Sequence, residues 1–511
     1  MTNCRTQVRR IVIAGGGTAG WMTAAALSHA LKRMPIDITL VESDEIGTIG
    51  VGEATIPVIH AFNNMLGIDQ ADFMRTCQAT FKLGIEFVDW GEVGRRYMHP
   101  FTVHGRDHES IYFHQLWLKY AHEEAAAGRS CDIDDYNLCS VAARSNRFVH
   151  PVAGRNTGNA PLNYAFHFDA SLYARYLRAF AERNGVRRIE GKIEHIHQDS
   201  GSGQVFALEL AGGDRLEGNL FVDCTGLRAL LIAQTLGTEF EDWSTWLPCD
   251  RAIAVPSASE APPVPFTRST ADKAGWRWRI PLQHRVGNGY VYASRFLADD
   301  QAESRLLETL DGTVLAEPRR IRFATGRRKQ AWVGNCVAIG LAAGFLEPLE
   351  STSIHLIQTA IIRLLAFFPY ADIDPVDVKE FNRQTASEYG SIRDFLILHY
   401  KLSSRDDAAF WRYCRHMKVP DSLAERLELF LANGRVQVSG DELFTRPSWV
   451  SVLLGQTDLP KGYDPLADKM TTAELYAFMA DVRSRIEGAV SGMPLHADYV
   501  RQFCAAEGQP A

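Results

Sequence analysis

Three glycines near the start of the chain have the spacing of a phosphate-binding turn. Gly15, Gly17 and Gly20 follow a short apolar run at residues 11–14 and precede an alanine-rich stretch. This order predicts a strand, a tight turn and a helix whose first N–H groups would face a pyrophosphate. Glu42 ends the next apolar run, at a distance where a carboxylate can accept hydrogen bonds from a ribose. The pattern predicts one dinucleotide site, and a glycine-rich turn without a ligand is the alternative.

Two tryptophans alternate with two arginines further along the chain. Because alternate residues of a strand share a face, Trp276 and Trp278 would form one aromatic wall. Arg277 and Arg279 would point the other way, and Pro281 limits strand pairing beyond it. An aromatic wall can face a ligand, whereas two core tryptophans on an amphipathic strand are the alternative.

A single lysine lies inside another alternating stretch, residues 80–87. Phe81 and the apolar residues at 83, 85 and 87 share one face, and Lys82 shares the other with Gly84 and Glu86. By itself this pattern favours a solvent-exposed strand lysine.

A third candidate is the start of an amphipathic helix after residue 353. The apolar residues between Ile354 and Phe368 keep helical spacing, and Ser351 or Thr352 can cap the helix. Such a helix start suits a small anion as well as a phosphate. An ordinary capped helix is the alternative.

The elements that must position these groups are spread along the chain. Short apolar strands are predicted at 11–14, 38–41, 220–222 and from 332 onward, and the chain is mostly helical from about residue 373. This distribution predicts a mixed α/β protein with a discontinuous dinucleotide-binding domain and inserted segments.

Composition excludes several classes of protein. The 511 residues are 46% apolar and 23% charged, which is typical of a globular protein, and a net charge of −7 does not favour nucleic-acid binding. The nine cysteines include no C-x-x-C pair, so no metal site or redox dithiol is predicted. The N-terminus is polar, and the most apolar long stretch, residues 354–368, contains His355 and Arg363. We therefore expect a cytoplasmic protein without a membrane partner.

Five segments together resemble the flavin-dependent halogenases, close to the tryptophan halogenases and their indole-accepting relatives. They are GGGTAGWM at 15–22, GVGEATIP at 50–57, Phe-Lys at 81–82, Trp-x-Trp-x-Ile-Pro at 276–281 and FLEPLEST at 345–352. The resemblance implies an FAD-binding, Rossmann-like fold of the flavin-monooxygenase type. In that fold we expect an FAD module with interleaved substrate segments over residues 1–372 and a helical part over 373–511.

The resemblance also implies a chemistry. Reduced FAD, O2 and chloride or bromide give hypohalous acid, and the wall of Trp276, Trp278 and Pro281 keeps the organic substrate away from the flavin. Lys82 then receives the oxidant by hydrogen bonding or as a haloamine, and Glu350 orients it and can take the ring proton. The halide would bind the backbone N–H groups of Thr352 and Ser353. The residues expected at the cofactor are Gly15, Gly17, Thr18, Ala19, Gly20, Glu42, Gly52, Glu53, Ala54, Trp276, Trp278, Pro281 and Leu346.

On the substrate side the resemblance is weaker. His99 and Phe101 align with the segment that sandwiches indole in tryptophan halogenases, and Trp449 is a candidate lining residue. Ser353 stands where the family usually has glycine. The serine retains the backbone N–H, but its side chain could alter the loop geometry or the halide preference. Contacts for the amino and carboxylate groups of tryptophan do not map onto the region after residue 442. We therefore expect a more open site for indole or another electron-rich arene.

The expected partners follow from the same resemblance. They are a small aromatic substrate and a separate NAD(P)H-dependent flavin reductase that supplies reduced FAD by diffusion, and a homodimer is left open. A flavin-dependent aromatic hydroxylase is the first alternative, but it would have to admit its substrate past Trp276 and Trp278. A non-catalytic FAD-binding protein is the second, in which Lys82 and Glu350 would have no catalytic role.

Overall fold

A computed structural model describes residues 8–45, 52–151, 161–369 and 372–506, so that Gly50 and Val51 lie outside the described residues. The chain forms two compact units that interleave along the sequence. Unit 1 comprises Met1–Ala79, Phe168–Ser244 and Arg322–Gly390, and unit 2 comprises Thr80–His167, Thr245–Ile321 and Ser391–Ala511. The division into a flavin module over 1–372 and a helical part over 373–511 stays a prediction.

The described strands, in chain order, are β1 Arg10–Ala14, β2 Asp37–Glu42, β3 Gly52–Ala54, β4 Thr80–Lys82, β5 Gly84–Val88, β6 Arg96–Pro100, β7 Ala165–Asp169, β8 Arg187–Glu190, β9 Ile193–Gln198, β10 Val205–Leu210, β11 Arg215–Glu217, β12 Leu220–Asp223, β13 Phe240–Asp242, β14 Arg251–Ser257, β15 Thr267–Asp272, β16 Gly275–Pro281, β17 Val286–Tyr292, β18 Arg319–Arg322, β19 Gly326–Arg328, β20 Trp332–Val333, β21 Cys336–Ala338 and β22 Gly344–Phe345. The described helices are α1 Thr18–Ala30, α2 Ile59–Met65, α3 Gln70–Thr76, α4 Phe113–Ala126, α5 Leu138–Arg144, α6 Ala170–Arg183, α7 Asp299–Leu307, α8 Ser353–Ala366, α9 Pro375–Lys401, α10 Ala409–His416, α11 Asp421–Asn433, α12 Arg446–Gln456, α13 Thr472–Ser491 and α14 His496–Cys504.

Unit 1 is built on a six-stranded sheet with the order β20-β21-β12-β1-β2-β8. Strand β1 lies between β2 and β12 and runs parallel to both. The apolar residues of β1 are buried, as expected for a central parallel strand covered on both faces. Helix α1 packs against α6 and α8, and its alanines allow this close approach. The predicted strand, turn and helix at the N-terminus are thus confirmed.

Unit 2 contains a seven-stranded sheet with the order β18-β14-β17-β16-β15-β5-β6. Strand β16 pairs antiparallel with β15 and β17, and β15 pairs parallel with β5. The helices α10 to α14 belong to this unit, which confirms the helical pattern predicted for the C-terminal part. A capping box formed by Thr471 and Glu474 begins α13.

The stretch 80–87, predicted as one strand, is divided at Leu83. The Leu83 N–H donates to the Pro265 carbonyl at 2.7 Å instead of continuing a ladder. At Gly84 a Cβ atom would lie 2.5 Å from the carbonyl oxygen of His99, so only glycine allows β5 this approach to β6. Among the described residues, no helix is long and apolar enough to cross a membrane.

Candidate active site

The glycine turn after β1 is crowded by backbone. Gly15 has φ +104°, and a Cβ there would lie 2.4 Å from the carbonyl oxygen of Cys224. A Cβ on Gly20 would lie 1.8 Å from the Gly15 carbonyl oxygen, so α1 can start this close to β1 only with glycine. Helix α1 begins with Thr18 and Ala19, and no side chain caps it at Gly17. The first N–H groups of α1 are therefore not satisfied by a cap and suit a phosphate.

The carboxylate of Glu42 lies against this turn. A Cβ on Gly16 would sit 1.6 Å from Glu42 Oε2, which shows how closely the side chain approaches the backbone. Glu42 accepts hydrogen bonds from Arg188 Nε at 2.6 Å and Trp21 Nε1 at 3.3 Å. These donors fix the carboxylate at the end of β2, where a ribose would bind. The cradle therefore fits a dinucleotide cofactor such as FAD.

Two glycines of this cradle were not singled out from the sequence. Gly16 is one, and Gly340 after β21 is the other, with φ +72° and a position for Cβ only 2.8 Å from Ala19 Cβ. The strand-then-glycine pattern around residues 332–346 is the signal that could have identified Gly340. It brings a second strand end to the start of α1.

Strand β3 carries Gly52, Glu53 and Ala54. Burial raises the pKa of the Glu53 carboxyl to about 8, and the carboxylate of Asp169 adds to this shift. Asp169 itself is held by the backbone N–H of Ser171 at 3.0 Å, at the start of α6. Glu53 is therefore mostly protonated at neutral pH and can donate a hydrogen bond.

The start of α8 is strained and has no side-chain cap. Ser351 adopts a left-handed conformation with φ +59°, directly after the turn Pro348–Glu350. Thr352 is fully buried, and its Oγ1 has no hydrogen-bond partner among the described residues. A buried helix start without a cap favours an anion, so the arrangement fits a halide. Ser353 is the first helical residue and does not need the φ range of glycine, which explains why a side chain is tolerated there.

Acidic and apolar residues precede this helix start. Leu346 is 2% exposed, Glu347 is fully buried, and Glu350 is 1% exposed. Burying a carboxyl group is costly, and buried carboxyl groups are common at functional sites. Glu350 therefore remains a candidate for the catalytic role.

In unit 2 the structure changes the interpretation of Lys82. Its side chain has no exposed surface, which contradicts a solvent-exposed strand lysine. It lies opposite Ala165 of β7, whose small side chain leaves room for it. The Nζ atom is 5.2 Å from the centroid of the Phe101 ring. A buried ammonium is costly to desolvate, so Lys82 remains a candidate for the catalytic role.

The two tryptophans of β16 share a face, as predicted. The ring centroids of Trp276 and Trp278 are 6.1 Å apart, and both rings are buried. A Cβ on Gly289 of β17 would lie 2.0 Å from the Trp278 ring, so this glycine provides its space. Arg277 pairs elsewhere, with Asp272 at 2.9 Å. The aromatic wall is thus formed by β16, and Gly289 of the neighbouring β17 leaves space for it.

Pairing of β16 with β17 ends at Pro281, which lies opposite Val286. This end point agrees with the limit that a proline sets to a ladder.

An aromatic cluster surrounds His99. The His99 ring centroid is 5.6 Å from that of Phe395 and 6.0 Å from that of Phe444. The rings of Phe395 and Phe444 stack on each other, with their centroids 3.9 Å apart. Trp449 meets Phe395 edge-on at 5.1 Å and is 1% exposed. Phe101 is placed beside Lys82. Sequence reasoning missed Phe395 and Phe444, because a phenylalanine on a helix or in a loop gives no signal beyond apolarity.

The predicted site residues fall into two groups. Unit 2 contains Lys82, His99, Phe101, Trp276, Trp278, Pro281 and Trp449. Unit 1 contains Gly15, Gly17, Thr18, Ala19, Gly20, Glu42, Gly52, Glu53, Ala54, Leu346, Glu350, Thr352 and Ser353. The described residues include no cluster of three or more His, Cys, Asp or Glu side chains that could hold a metal ion.

Comparisons with known proteins agree with these features. The family model for tryptophan halogenase matches residues 10–472. The chain is 38% identical to tryptophan 7-halogenase RebH of Lentzea aerocolonigenes over 445 residues, which cover 83% of this chain and 82% of RebH. The structure of Xcc4156, a flavin-dependent halogenase from Xanthomonas campestris, superposes with a TM-score of 0.94 at 54% identity, covering 99% of this chain and 100% of that one. BrvH, a flavin-dependent halogenase from Brevundimonas sp. BAL3, gives a TM-score of 0.93 at 46% identity, covering 98% and 99%.

The chain belongs to the tryptophan halogenase family. It has the FAD-binding fold of the flavin-dependent halogenases and is an enzyme of this class, which uses reduced FAD with O2 and a halide. Enzymes of this class need a separate flavin reductase and an aromatic substrate. The comparisons favour this activity over that of an aromatic hydroxylase.

Proposed function

We propose that this enzyme halogenates an electron-rich arene, such as indole or a tryptophan derivative, by electrophilic aromatic substitution. The observation that carries the proposal is the fully buried ammonium of Lys82, 5.2 Å from the ring of Phe101. Reduced FAD, when bound with O2 and a halide, supplies hypohalous acid. The glycine cradle and Glu42 of unit 1 hold this cofactor, with Gly52, Glu53, Ala54 and Leu346 beside it.

Three further groups of this chain would bind the halide, exclude the arene and activate the oxidant. The N–H groups of Thr352 and Ser353 bind the halide at the start of α8. Trp276, Trp278 and Pro281 keep the arene from the cofactor. Lys82 donates a hydrogen bond to the oxygen of hypohalous acid, which makes the halogen more electrophilic.

Glu350 completes the chemistry. Its carboxylate orients the oxidant and takes the proton that leaves the ring carbon after the halogen adds. The hydroxide released from the oxidant takes a proton from the Lys82 ammonium and leaves as water, while the ring proton passes to the Glu350 carboxylate, so that protons and charge balance.

The surroundings of His99 favour a neutral arene over free tryptophan. Its ring neighbours are Phe395 and Phe444, and Trp449 closes the cluster. Glu442, two residues before Phe444, already accepts hydrogen bonds from both terminal nitrogens of Arg426. We therefore propose that His99, Phe101 and Trp449 line a site for indole, and that a diffusing flavin is reduced by a separate NAD(P)H-dependent reductase.

The test is a product assay. The enzyme is combined with FAD, a flavin reductase, NADH, O2 and either bromide or chloride, and is offered indole, a phenol or free tryptophan. Mass spectrometry should show halogenated indole as the main product. Hydroxylated product alone would contradict the proposal, and an omission of halide should abolish product without stopping flavin reoxidation.

A further inference from the structure

A buried chain of hydrogen bonds joins four strands, β4, β7, β15 and β16, near Lys82. The hydroxyl of Thr80 donates to the Pro281 carbonyl at 2.7 Å. The same oxygen lies 3.1 Å from Nδ1 of His167, and Nε2 of His167 lies 2.9 Å from Oγ1 of Thr267. Thr80 and His167 are fully buried, and Thr267 is 5% exposed. We call these three residues, with the Pro281 carbonyl, the Thr80 clamp.

The direction of each hydrogen bond follows from the first one. A hydroxyl has one hydrogen, and that of Thr80 is used on the Pro281 carbonyl, so its oxygen accepts from His167. Nδ1 of His167 must then carry the proton, and Nε2 accepts from the Thr267 hydroxyl. Burial lowers the pKa of His167 well below its usual value, and the charge of Lys82 adds to this effect. The imidazole is therefore neutral, in one tautomer, and both its nitrogens are occupied.

The clamp acts on the strand that carries Lys82. Thr80 and Lys82 are alternate residues of β4 and share a face. Thr80 lies opposite His167, and Lys82 lies opposite Ala165, so all four side chains are on the same side of the strand pair. Any slip of β4 along β7 would break the clamp and move the ammonium.

The opposite face of β4 is also held. The ring of Phe81 stacks on Phe148 at 4.0 Å, and the Phe81 N–H donates to Nε2 of His496 at 3.2 Å. Since packing already stabilises this face, removing one hydroxyl from the other face should shift the strand without unfolding it.

We propose that His167 is a positioning residue, which holds Lys82 at a set distance from the Pro281 end of β16. This inference rests on the proposed halogenation. Both nitrogens of His167 are already used within the clamp, so His167 does not itself transfer a proton to or from the substrate. Its role is to keep the ammonium at one position relative to the end of β16, so that the oxidant is captured and does not escape to solvent.

The first variant is Thr80→Val, which keeps the size and branching of the side chain and removes the hydroxyl. We expect the halogenated product formed per reduced flavin consumed to fall about tenfold, because small displacements of a catalytic group have effects of this order. Flavin reoxidation should be unchanged, and the missing product should appear as free hypohalous acid, measured with a small diffusible scavenger. An unchanged product yield in Thr80→Val would overturn the proposal.

Two further sets of variants separate positioning from general damage. Thr80→Ser keeps the hydroxyl and should retain most of the product yield. His167→Asn, whose amide can donate to Thr80, should give a higher product yield than His167→Leu, which cannot. The matched control is Thr457→Val in the same unit, since its hydroxyl also donates to a backbone carbonyl at 2.7 Å, that of Leu453. Equal losses in Thr457→Val and Thr80→Val would contradict a specific role.

Hydrogen exchange tests the clamp without any reaction. In the protein without cofactor, the amides of residues 80–84 should exchange faster in Thr80→Val than in the wild type or in Thr457→Val. Unchanged exchange would overturn the clamp even if halogenation is confirmed. Faster exchange in an enzyme that makes no halogenated product would instead contradict only the proposed function. If Thr80→Val does not fold, Thr267→Val removes the other end of the clamp and should shift the same amides.

Discussion

The ammonium of Lys82 lies 5.2 Å from the centroid of the Phe101 ring, and the lysine side chain is fully buried. An aromatic face attracts a cation, so the ring of Phe101 stabilises the charge of the buried ammonium. In β4 this lysine sits opposite Ala165, the smallest side chain that a strand can offer besides glycine.

Replacement of Lys82 by alanine should abolish halogenation, with a loss of at least about a thousandfold in product formation, because one preorganised donor can contribute that much. FAD binding and flavin reoxidation should persist, and both are followed by the flavin absorbance. The matched control is Lys119→Ala, which removes another buried lysine of unit 2 that donates to the Met470 carbonyl at 2.7 Å. That control should lower stability but retain activity per folded molecule. Halogenation retained in Lys82→Ala would remove Lys82 from its role.

Replacement of Ser353 by aspartate should stabilise the folded protein but weaken halide binding. A carboxylate at the first position of α8 stabilises the helix start, and it also repels the halide that is proposed to bind there. We expect the melting temperature to rise slightly and the KM for bromide to rise about tenfold. Ser353→Asn, which is neutral and of similar size, is the control and should leave the KM for bromide within a few-fold of wild type. An unchanged KM in the aspartate variant would place the halide elsewhere.

Replacement of Gly340 by alanine should weaken FAD binding. The residue has φ +72°, and the new Cβ would lie 2.8 Å from Ala19 at the start of α1. Gly67→Ala is a close control, since Gly67 has φ +68° with open space around its Cβ position. Both variants should lose about 1 kcal/mol of unfolding free energy from the left-handed conformation. Only Gly340→Ala should also raise the Kd for FAD in a fluorescence titration, and equal Kd values would show that crowding at α1 is unimportant.

The pH dependence of stability should reveal the protonated Glu53. Burial raises the pKa of its carboxyl from an ordinary value of 4.5 to about 8 in the folded protein. Between these two pH values the folded state binds more protons than the unfolded state, so this group makes the free energy of unfolding fall as the pH rises. Glu53→Gln mimics the protonated form and cannot titrate. Thermal unfolding without cofactor should therefore show the variant gaining stability relative to wild type from pH 5 to pH 8, and a constant difference would contradict the raised pKa.

Local sequence patterns were sufficient for some parts of this protein. The glycine turn at Gly15, Gly17 and Gly20, the wall of Trp276 and Trp278, and the helix start at Ser353 all depend on residues that are close along the chain. Turn geometry and strand alternation are short-range properties, so a sequence pattern predicts them directly.

Other features depend on segments that are far apart in the sequence. The alternation around Lys82 was compatible with solvent exposure, and only the packing of β4 against β7 shows that the lysine is buried. The stack of Phe395 on Phe444 joins a helix to a loop, and the Thr80 clamp joins residues 80, 167, 267 and 281. No local period connects such positions, because contacts between distant segments depend on how the whole chain packs. The sequence by itself thus determined which chemical groups the chain carries and which elements hold them, whereas burial, the neighbours of each group and the orientation of its hydrogen bonds were decided by the tertiary structure.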